Sequence, residues 1–453
     1  MSIALPRCLV SGVVALLLAV LATFPNMALA QSALEMNAAG NSQSGTSSQT
    51  RNDLTVSMVN NTDNPSGLTF TAVSPPPTPN VTFTLTNQQY SVPTSVHSTG
   101  YAATIGVVSG STATYYAQLG SFGGPVDSYF TSAGQVAPGT GISVVSNYGV
   151  RFLYNVSPLA SASVEETARI HMADLVISFD TPVTDPVLHF GGLGGEVSLG
   201  RTAKGFATEF DLVPGGNVTG WTALSGNTPF LVSGNSLYDN AAVMGASCGA
   251  GTAACGSVRI NGQNITQITL RTFIRSSSPV PWSFGGVRAT AGDAFHISVS
   301  LEAADVQPTL SNFPATIQPG TTYTGLTATC TNNGPNTARN VSCGVLADIG
   351  TVSNLSCVPA MPGDLAPSAS AVCTFDYVLN APGSATQVVF TGQSSASNDR
   401  NGGSDPAAGN NQIQASIAIQ SAIDAVDDAL AGLDGLSGAT SAQSVLDNDT
   451  LNG

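Results

Sequence analysis

The stretch Ala371-Val-Cys-Thr-Phe-Asp-Tyr-Val-Leu379 decides the fold class. Every second residue in it is apolar, which is the period of a β-strand that turns one face to a core. Two upstream stretches show similar apolar rows, which are Tyr323, Leu326, Ala328 and Cys330, followed by Val341, Cys343 and Val345. Each row carries a cysteine on its predicted buried face. We therefore predict a β-sandwich over residues 306–420, stapled by its cysteines.

Residues 53–305 show the same pattern in many short runs. Thr82–Leu85 and Phe295–Leu301 alternate between apolar and polar residues, and Asp174–Phe179 is a third β-like run. Clusters of Gly, Pro and Asn separate these runs, as turns do between short strands. The pattern predicts one large sandwich or jelly-roll-like β domain. The predicted fold class is therefore all-β, with two β-sandwich domains and the start of a third β unit.

Composition excludes several classes of protein. Charged residues make up 9% of the 453 residues, against about 25% in an average soluble protein. The net charge of −15 and the absence of a basic stripe argue against a nucleic-acid partner. Disorder throughout is excluded because hydrophobic residues, at 42%, are abundant enough to build cores.

The N-terminus reads as an export signal over residues 1–30. Arg7 precedes an apolar run over Val13–Ala22, and Ala28-Leu29-Ala30 matches the small-x-small pattern of a cleavage site. An uncleaved membrane anchor is the alternative, but the run is short for one. Residues 31–52 are rich in Ser, Gln and Asn, and predict a flexible leader. We expect a secreted or cell-surface protein with no transmembrane segment after cleavage.

Cleavage would leave an even number of cysteines, which in an exported chain predicts disulfides. They are Cys248, Cys255, Cys330, Cys343, Cys357 and Cys373. Metal ligation is the alternative, but close C-x2-C spacing and neighbouring histidines are missing. Cys248 and Cys255 would close a small loop in the first domain. The other four allow three connectivities.

Two motifs in the second domain resemble a known family. Thr331–Val341 resembles the TNNGPxxAxNV signature of the DUF11 repeat, and Ser404–Asn411 is similar to its DPxxxNN run. This repeat is an immunoglobulin-like surface module of long bacterial envelope proteins. The resemblance implies an Ig-like fold for residues 306–420 and the pairs Cys330–Cys343 and Cys357–Cys373. Many members lack these four cysteines.

The regions around this repeat carry weaker resemblances. Asp424–Asp428 and Ser444–Gly453 resemble the opening of a cadherin-like tandem repeat, which would make residues 421–453 the truncated start of a further repeat. The alternative is a short helix, since helical spacing is shown by Ile423, Val426, Leu430 and Leu433. Phe179–Phe190 is similar to a stretch of the N-terminal domain that often precedes such repeats.

Catalytic patterns are weak, so we predict no enzyme and no catalytic residue. Gly245–Gly249 fits G-x-S-x-G and Gly249–Ala254 fits G-x-G-x-x-A, but neither lies in the required α/β context. No metal-site spacing occurs among the four histidines, which are His97, His171, His189 and His296. The apolar rows around His189 and His296 predict hydrogen-bonded core or rim histidines. Acid–base use of Glu165, Glu166 and His171 is less favoured than a solvated turn.

Calcium and sugars are the remaining ligand candidates. Calcium prefers clustered oxygens, and acidic loops offer them at Asp399, Asp405, Asp427, Asp428, Asp447 and Asp449. Ordinary Asx turns are the alternative. We predict no other cofactor. Trp221 and Trp282 are the candidates for stacking on a sugar, because an indole joins an apolar face to a polar tip.

The favoured hypothesis is a non-catalytic, exported bacterial cell-envelope or secreted repeat protein with a structural or adhesive role. The first domain would be the head and the second an Ig-like spacer. A surface glycan or a protein on a host or neighbouring cell would be the partner. The alternatives are a carbohydrate-binding module and a hydrolase on a β scaffold. Because residues 306–420 contain no lysine, Lys–Asn or Lys–Asp isopeptide bonds are excluded there, and disulfides would be the covalent staples.

Overall fold

The structure is a computed structural model of the chain. It describes residues 31–38, 46–47, 49–65, 67–73, 78–109, 112–133, 136–199, 202–283, 291–302, 304–333, 337–366, 368–398, 410–420, 423–424, 436 and 450–451. These residues form an all-β protein with short 3-10 turns at Leu119–Ser121, Asp127–Tyr129 and Ser157–Ser161. The predicted fold class is confirmed. The signal-peptide prediction falls on residues outside the description.

The first sandwich spans residues 31–302. Its strands are β1 (Gln31–Glu35), β2 (Thr46–Ser47), β3 (Asp53–Ser57), β4 (Val59–Asn64), β5 (Phe70–Thr71), β6 (Asn80–Thr86), β7 (Ala103–Ile105), β8 (Val107–Ser109), β9 (Thr112–Thr114), β10 (Tyr116–Gln118), β11 (Tyr148–Asn155), β12 (Ile170–Val183), β13 (Val187–Leu193), β14 (Gly195–Leu199), β15 (Thr202–Val213), β16 (Val218–Gly226), β17 (Phe230–Ser233), β18 (Ser236–Asp239), β19 (Ala254–Gly262), β20 (Ile265–Ser276) and β21 (Gly292–Glu302).

Two large sheets pack face to face in the first sandwich. The ten-stranded sheet runs β16-β19-β13-β21-β1-β4-β5, with β7, β10 and β11 attached beside β21. The eight-stranded sheet runs β17-β18-β15-β20-β12-β6-β3, with β14 beside β15. Aromatic rings join the sheets: Phe210 of the second sheet meets Phe190 at 4.9 Å and Phe295 at 5.8 Å between ring centroids. This apolar layer is the main core of the molecule.

The prediction of a flexible leader over residues 31–52 is wrong for its first part. Gln31–Glu35 is an interior strand of the ten-stranded sheet and pairs antiparallel with both β21 and β4. Leu34 and Met36 are buried in the main core. The segment is ordered because partners far away in sequence supply both hydrogen-bond ladders and an apolar surface for its inward side chains.

The second sandwich spans residues 306–420 and has two sheets. Its strands are β22 (Val306–Ser311), β23 (Thr316–Ile317), β24 (Thr322–Asn332), β25 (Ala338–Ala347), β26 (Thr351–Val358), β27 (Gly363–Leu365), β28 (Ser370–Val378), β29 (Gln387–Ser395) and β30 (Gln412–Ile419). One sheet runs β22-β24-β28-β26 and the other β23-β30-β29-β25-β27. Beyond them, β31 (Ile423–Asp424) pairs with β32 (Thr450–Leu451).

The core of the second sandwich follows the predicted rows. Phe375 and Tyr377 pack on Phe390 of the opposite sheet, with ring centroids 6.3 and 4.8 Å apart. The three-residue step from Tyr323 to Leu326 is a β-bulge, and Gly325 adopts a φ of 71° there. A bulge adds one residue to one strand, which keeps both side chains on the same face.

Three disulfides are present, as predicted. Cys330–Cys343 links β24 to β25 and so connects the two sheets, whereas Cys357–Cys373 links the neighbouring strands β26 and β28. Cys248–Cys255 ties a loop to the start of β19 in the first sandwich. These are the pairs implied by the family resemblance and by the short spacing of Cys248 and Cys255.

Candidate functional site

A polar layer is buried on the outer face of the ten-stranded sheet, opposite the main core. The chain between β10 and β11, residues 119–147, lies over this face, and we call it the covering segment. A small apolar cluster of Leu119, Phe130, Ile142 and the Cys248–Cys255 loop packs beside it. The buried polar layer consists of Glu35, Asn61, Asn64, Thr131, Ser132, Asn147, His189, Ser257 and Ser300, all of which are buried.

His189 lies in the middle of this layer between two serines. Its Nδ1 is 2.7 Å from Oγ of Ser257, and its Nε2 is 3.0 Å from Oγ of Ser300. The backbone N–H of Thr131 donates to the same Ser257 hydroxyl at 3.0 Å, and Ser300 donates to the carbonyl of Ser132. Burial lowers the pKa of His189 to about 3, so its imidazole is neutral at physiological pH.

Glu35 lies at the other side of the layer, at the end of β1. One carboxylate oxygen, Oε2, accepts hydrogen bonds from Nδ2 of Asn147 at 2.7 Å and Nδ2 of Asn61 at 3.2 Å. Burial raises the pKa of Glu35 to about 7, more than these two hydrogen bonds lower it. Asn147 also accepts from the backbone N–H of Ser143, so Glu35 anchors the last turn of the covering segment to the sheet.

A second set of buried acids lies at another edge of the main core. Asp293 accepts from the backbone N–H groups of Thr208 at 2.7 Å and Gly194 at 3.1 Å. Burial raises the pKa of Asp293 to about 6 and that of Asp239 to about 7. The bonds of Asp293 join β15 and the connection between β13 and β14 to β21, so this carboxylate holds the chain together from inside the protein.

The two predicted sugar-stacking residues do not offer an open ring face, and that prediction is corrected. Trp221 is 8% exposed and its indole N–H donates to the carbonyl of Gly234 at 2.9 Å. Trp282 is 2% exposed, and the ammonium of Lys204 lies 4.1 Å from the centroid of its ring. Both rings are used in packing, because few aromatic residues are available to fill so large a core.

The predicted calcium residues lie outside the description. This applies to Asp399, Asp405, Asp427, Asp428, Asp447 and Asp449. Within the described part of the chain, no three His, Cys, Asp or Glu side chains group closely enough to hold a metal ion. Among the same residues, no helix has the length and apolar character needed to cross a membrane.

The residues of the enzyme-like patterns make local contacts within the fold. Ser247 of the G-x-S-x-G string accepts from the backbone N–H of Ala250 at 3.1 Å, and it directly precedes the loop closed by Cys248 and Cys255. His171 lies 3.1 Å from a carboxylate oxygen of Asp174. His189 and His296 are both buried, as the apolar rows around them predict.

The buried polar layer itself was missed because its members are scattered over the whole of the first sandwich. Glu35 lies in a stretch whose Ser- and Asn-rich flanks favour a leader. The signal for a strand is the alternation of Ala33 and Glu35 with Leu34 and Met36. That row is only four residues long, which is too short to decide between strand and coil.

Comparison with protein-family models and with curated proteins finds no match to this chain.

Proposed function

We propose that the protein is a non-catalytic, exported envelope or secreted protein with an adhesive head and an Ig-like spacer. The observation that carries this proposal is the set of three disulfides, which close loops or bridge strands in both sandwiches. Disulfides form and persist in oxidising compartments outside the cytosol. Export therefore fits the covalent structure, and an exposed spacer benefits from it because cross-links reduce unfolding and proteolysis.

The placement of polar groups supports a non-catalytic role. His189 and its two serines resemble a proton-transfer pair, but all three side chains are fully buried under the covering segment. A general base must reach substrate within hydrogen-bond distance. Here both imidazole nitrogens are already occupied, so the arrangement serves to hold the segment on the sheet. A hydrolase on a β scaffold is therefore disfavoured.

Export can be tested by expressing the full chain with its first thirty residues in a bacterial host. The expected product is found outside the cytoplasm, begins at Gln31, and shows no free thiol until it is reduced, when all six predicted thiols appear. Deletion of residues 1–30 is the matched control and should leave the protein inside the cell. A full-length product retained in the cytoplasm with free thiols would contradict the proposal.

One structural feature supports the carbohydrate-binding alternative. A cleft of about 330 Å³ lies where β15, β16 and β20 meet, and amides and hydroxyls line it at Asn217, Asn264, Thr266, Gln267 and Thr269. Such groups hydrogen-bond to sugar hydroxyls. The test is a glycan array with the wild type and the Asn217→Ala/Gln267→Ala variant. Retention that is lost in the variant favours this function, and no retention of the wild type removes it.

A further inference from the structure

Oxygen-bearing side chains cluster around Ala33 on the outer face of the ten-stranded sheet, and we call the region that they share the space above Ala33. The cross-strand partners of Ala33 are Asn61 on β4 and Glu302 on β21. Glu35 is the next residue along β1 on the same face. The register of β1 and β4 shifts just beyond Ala33, and this bulge places Asn64 on that face as well.

Among the described residues, three oxygens of these side chains find no hydrogen-bond partner. They are Oε1 of Glu35, Oδ1 of Asn61 and Oδ1 of Asn64, and each of these side chains is 0% exposed. The amide nitrogen of Asn61 donates to Glu35, so its amide oxygen is turned away from that carboxylate. Buried acceptors are nearly always satisfied in proteins, so this set indicates a missing partner.

When Glu35 is ionised, the partner must be positively charged or a hydrogen-bond donor, because all three atoms then accept. Within the described residues, Glu35 takes part in no ion pair, and Asp63 adds a further negative charge nearby. The neutral His189 is already bonded to two serines and has no donor left for this space. Among the described side chains around the space, the atoms without a hydrogen-bond partner are therefore oxygens, and the nearby carboxylates make the surroundings negative.

We propose that the space above Ala33 binds a hard divalent cation, with calcium as the preferred ion. Calcium takes six to eight oxygen ligands from carboxylates, amides and water, in flexible geometry. Here Glu35 supplies one carboxylate, Asn61 and Asn64 supply amide oxygens, and Glu302 faces the space from β21. The described side chains around the space offer no imidazole or thiolate ligand, which disfavours zinc and copper. This site is separate from the acidic loops of the C-terminal part.

An entry path lies beside the space. A surface cleft of about 330 Å³ is lined by Pro65, which follows Asn64, and by residues 139–143 of the covering segment. Gly141 separates the cleft from the space, because a Cβ at that position would lie only 2.6 Å from Oδ1 of Asn64. The ion would reach its ligands by a small movement of this glycine.

Ion binding would tie the covering segment to the sheet. Asn64 donates to Oγ of Ser132 at 2.9 Å, and Glu35 accepts from Asn147, so two ligands already contact the two halves of that segment. A cation bound to both ligands stabilises the folded state in proportion to its concentration above the dissociation constant.

The test measures thermal unfolding of the mature full chain by tryptophan fluorescence. Both tryptophans lie in the first sandwich, so the signal reports on this part alone. The samples contain EDTA, calcium chloride up to about 10 mM, or magnesium chloride at equal ionic strength, because extracellular calcium sites bind at about 0.1–1 mM. We expect calcium to raise the midpoint by several degrees and magnesium to raise it less.

The Glu35→Gln variant should lose the calcium-dependent shift. The matched control is Asp239→Asn, another buried acid of the first sandwich whose pKa is raised to about 7, and it should keep the full shift. The Asn61→Asp variant adds a carboxylate and should bind calcium at least several-fold more tightly in calorimetry. The Asn61→Asp variant also tests the site if the Glu35→Gln variant fails to fold.

Two results would overturn the proposal. The first is an equal midpoint for the wild type in EDTA and in calcium, which means that protonation of Glu35 or buried water satisfies the space. The second is a calcium shift that persists in Glu35→Gln while Asn61→Asp leaves the affinity unchanged, which places the ion in another part of the chain.

Discussion

The buried polar residues of the first sandwich include three acids with raised pKa, Glu35, Asp239 and Asp293, and two neutral histidines. In the described part of the second sandwich, the buried polar side chains are Asn332, Ser394 and Asn398, none of which is ionisable. The second sandwich instead has two disulfides. We therefore expect the pH dependence that comes from buried ionisable groups in the first sandwich, whereas the second has two disulfides against one in the described part of the first.

In the described residues, contact between the two sandwiches is limited, so the unfolding of each can be measured separately. Their apolar cores form separate clusters. The hydrogen bonds between the two parts include Thr184 to the carbonyl of Ser397 at 3.2 Å, and Ala304 in the junction donates to the carbonyl of Asn398 at 3.0 Å. Small interfaces of this kind let neighbouring domains unfold separately.

The largest effect is expected from Phe295→Ala. Phe295 stacks on Phe152 at 5.2 Å between centroids and contacts Tyr154 and Phe210 edge-on, so its removal leaves a cavity in the main core. The free energy of unfolding of the first sandwich should fall by about 3–5 kcal/mol. Tryptophan fluorescence follows that transition, and calorimetry follows the second one, which should not move.

The reciprocal control is Phe390→Ala in the second sandwich. It should lower the calorimetric transition of that part and leave the fluorescence transition in place. If either substitution shifts both transitions equally, the two sandwiches unfold as one unit and the comparison fails.

The next effect is loss of the cross-link between the sheets of the second sandwich. Replacing Cys330 and Cys343 together by alanine frees the unfolded chain, and should lower the free energy of unfolding by roughly 2–4 kcal/mol. Calorimetry of the oxidised protein measures this change. The double variant of Cys248 and Cys255 is the control and should affect only the first sandwich. If the Cys330/Cys343 variant destabilised the first sandwich, or the Cys248/Cys255 variant the second, the assignment of these disulfides to their sandwiches would be contradicted.

A smaller effect is expected from pH through His189. Its pKa in the folded state, about 3, lies below the ordinary value near 6.5, so the unfolded state binds the proton more tightly. This group therefore contributes stability above pH 6.5, and loses it as the pH falls toward 3. Between pH 7 and 5, His189→Gln should remove about 2 kcal/mol of pH dependence from the first sandwich.

The measurement for His189 is urea unfolding, followed by tryptophan fluorescence at several pH values. The raised acids Glu35, Asp239 and Asp293 act in the opposite direction, since they lose stability as the pH rises through about 6–7. The difference between wild type and variant cancels their contribution. The second sandwich contains no histidine and is the internal control. An unchanged difference between pH 7 and 5 would show that His189 is not buried in its neutral form.

The sequence predicts the second sandwich better than the first because its strand rows are long. The row from Ala371 to Leu379 alternates over nine residues, and β28 spans Ser370–Val378. Ala33–Met36 offers only four residues, and the partners that make it a strand, β4 and β21, are distant in the chain. The local periodicity of a sequence does not show which distant strands will pair.

Tertiary packing and strand register also account for the errors about the candidate site. The sequence does not show whether a tryptophan is exposed or buried. Only the structure, in which Trp282 packs against Lys204, shows that this tryptophan is a core residue. The members of the buried polar layer come from β1, β4, β13, β19, β21 and the covering segment. The register of those strands, which no motif encodes, brings them together.

The smallest effect on stability is expected at the edge of the second sandwich. β26 is an outer strand, where Val358 is 75% exposed beside its partner Val372, which is also exposed. Val358→Lys should change the free energy of unfolding by less than about 0.5 kcal/mol, because the side chain lies in solvent in either case.

The Val358→Lys variant should nevertheless reduce self-association at high protein concentration, since a lysine on an edge strand opposes pairing with another edge. Sedimentation velocity measures this, with Val243→Lys, at an exposed loop position of the first sandwich, as the control that leaves association unchanged. If both variants reduce association equally, added charge and not the edge of β26 is the cause, and the second sandwich is no more prone to pairing than the first.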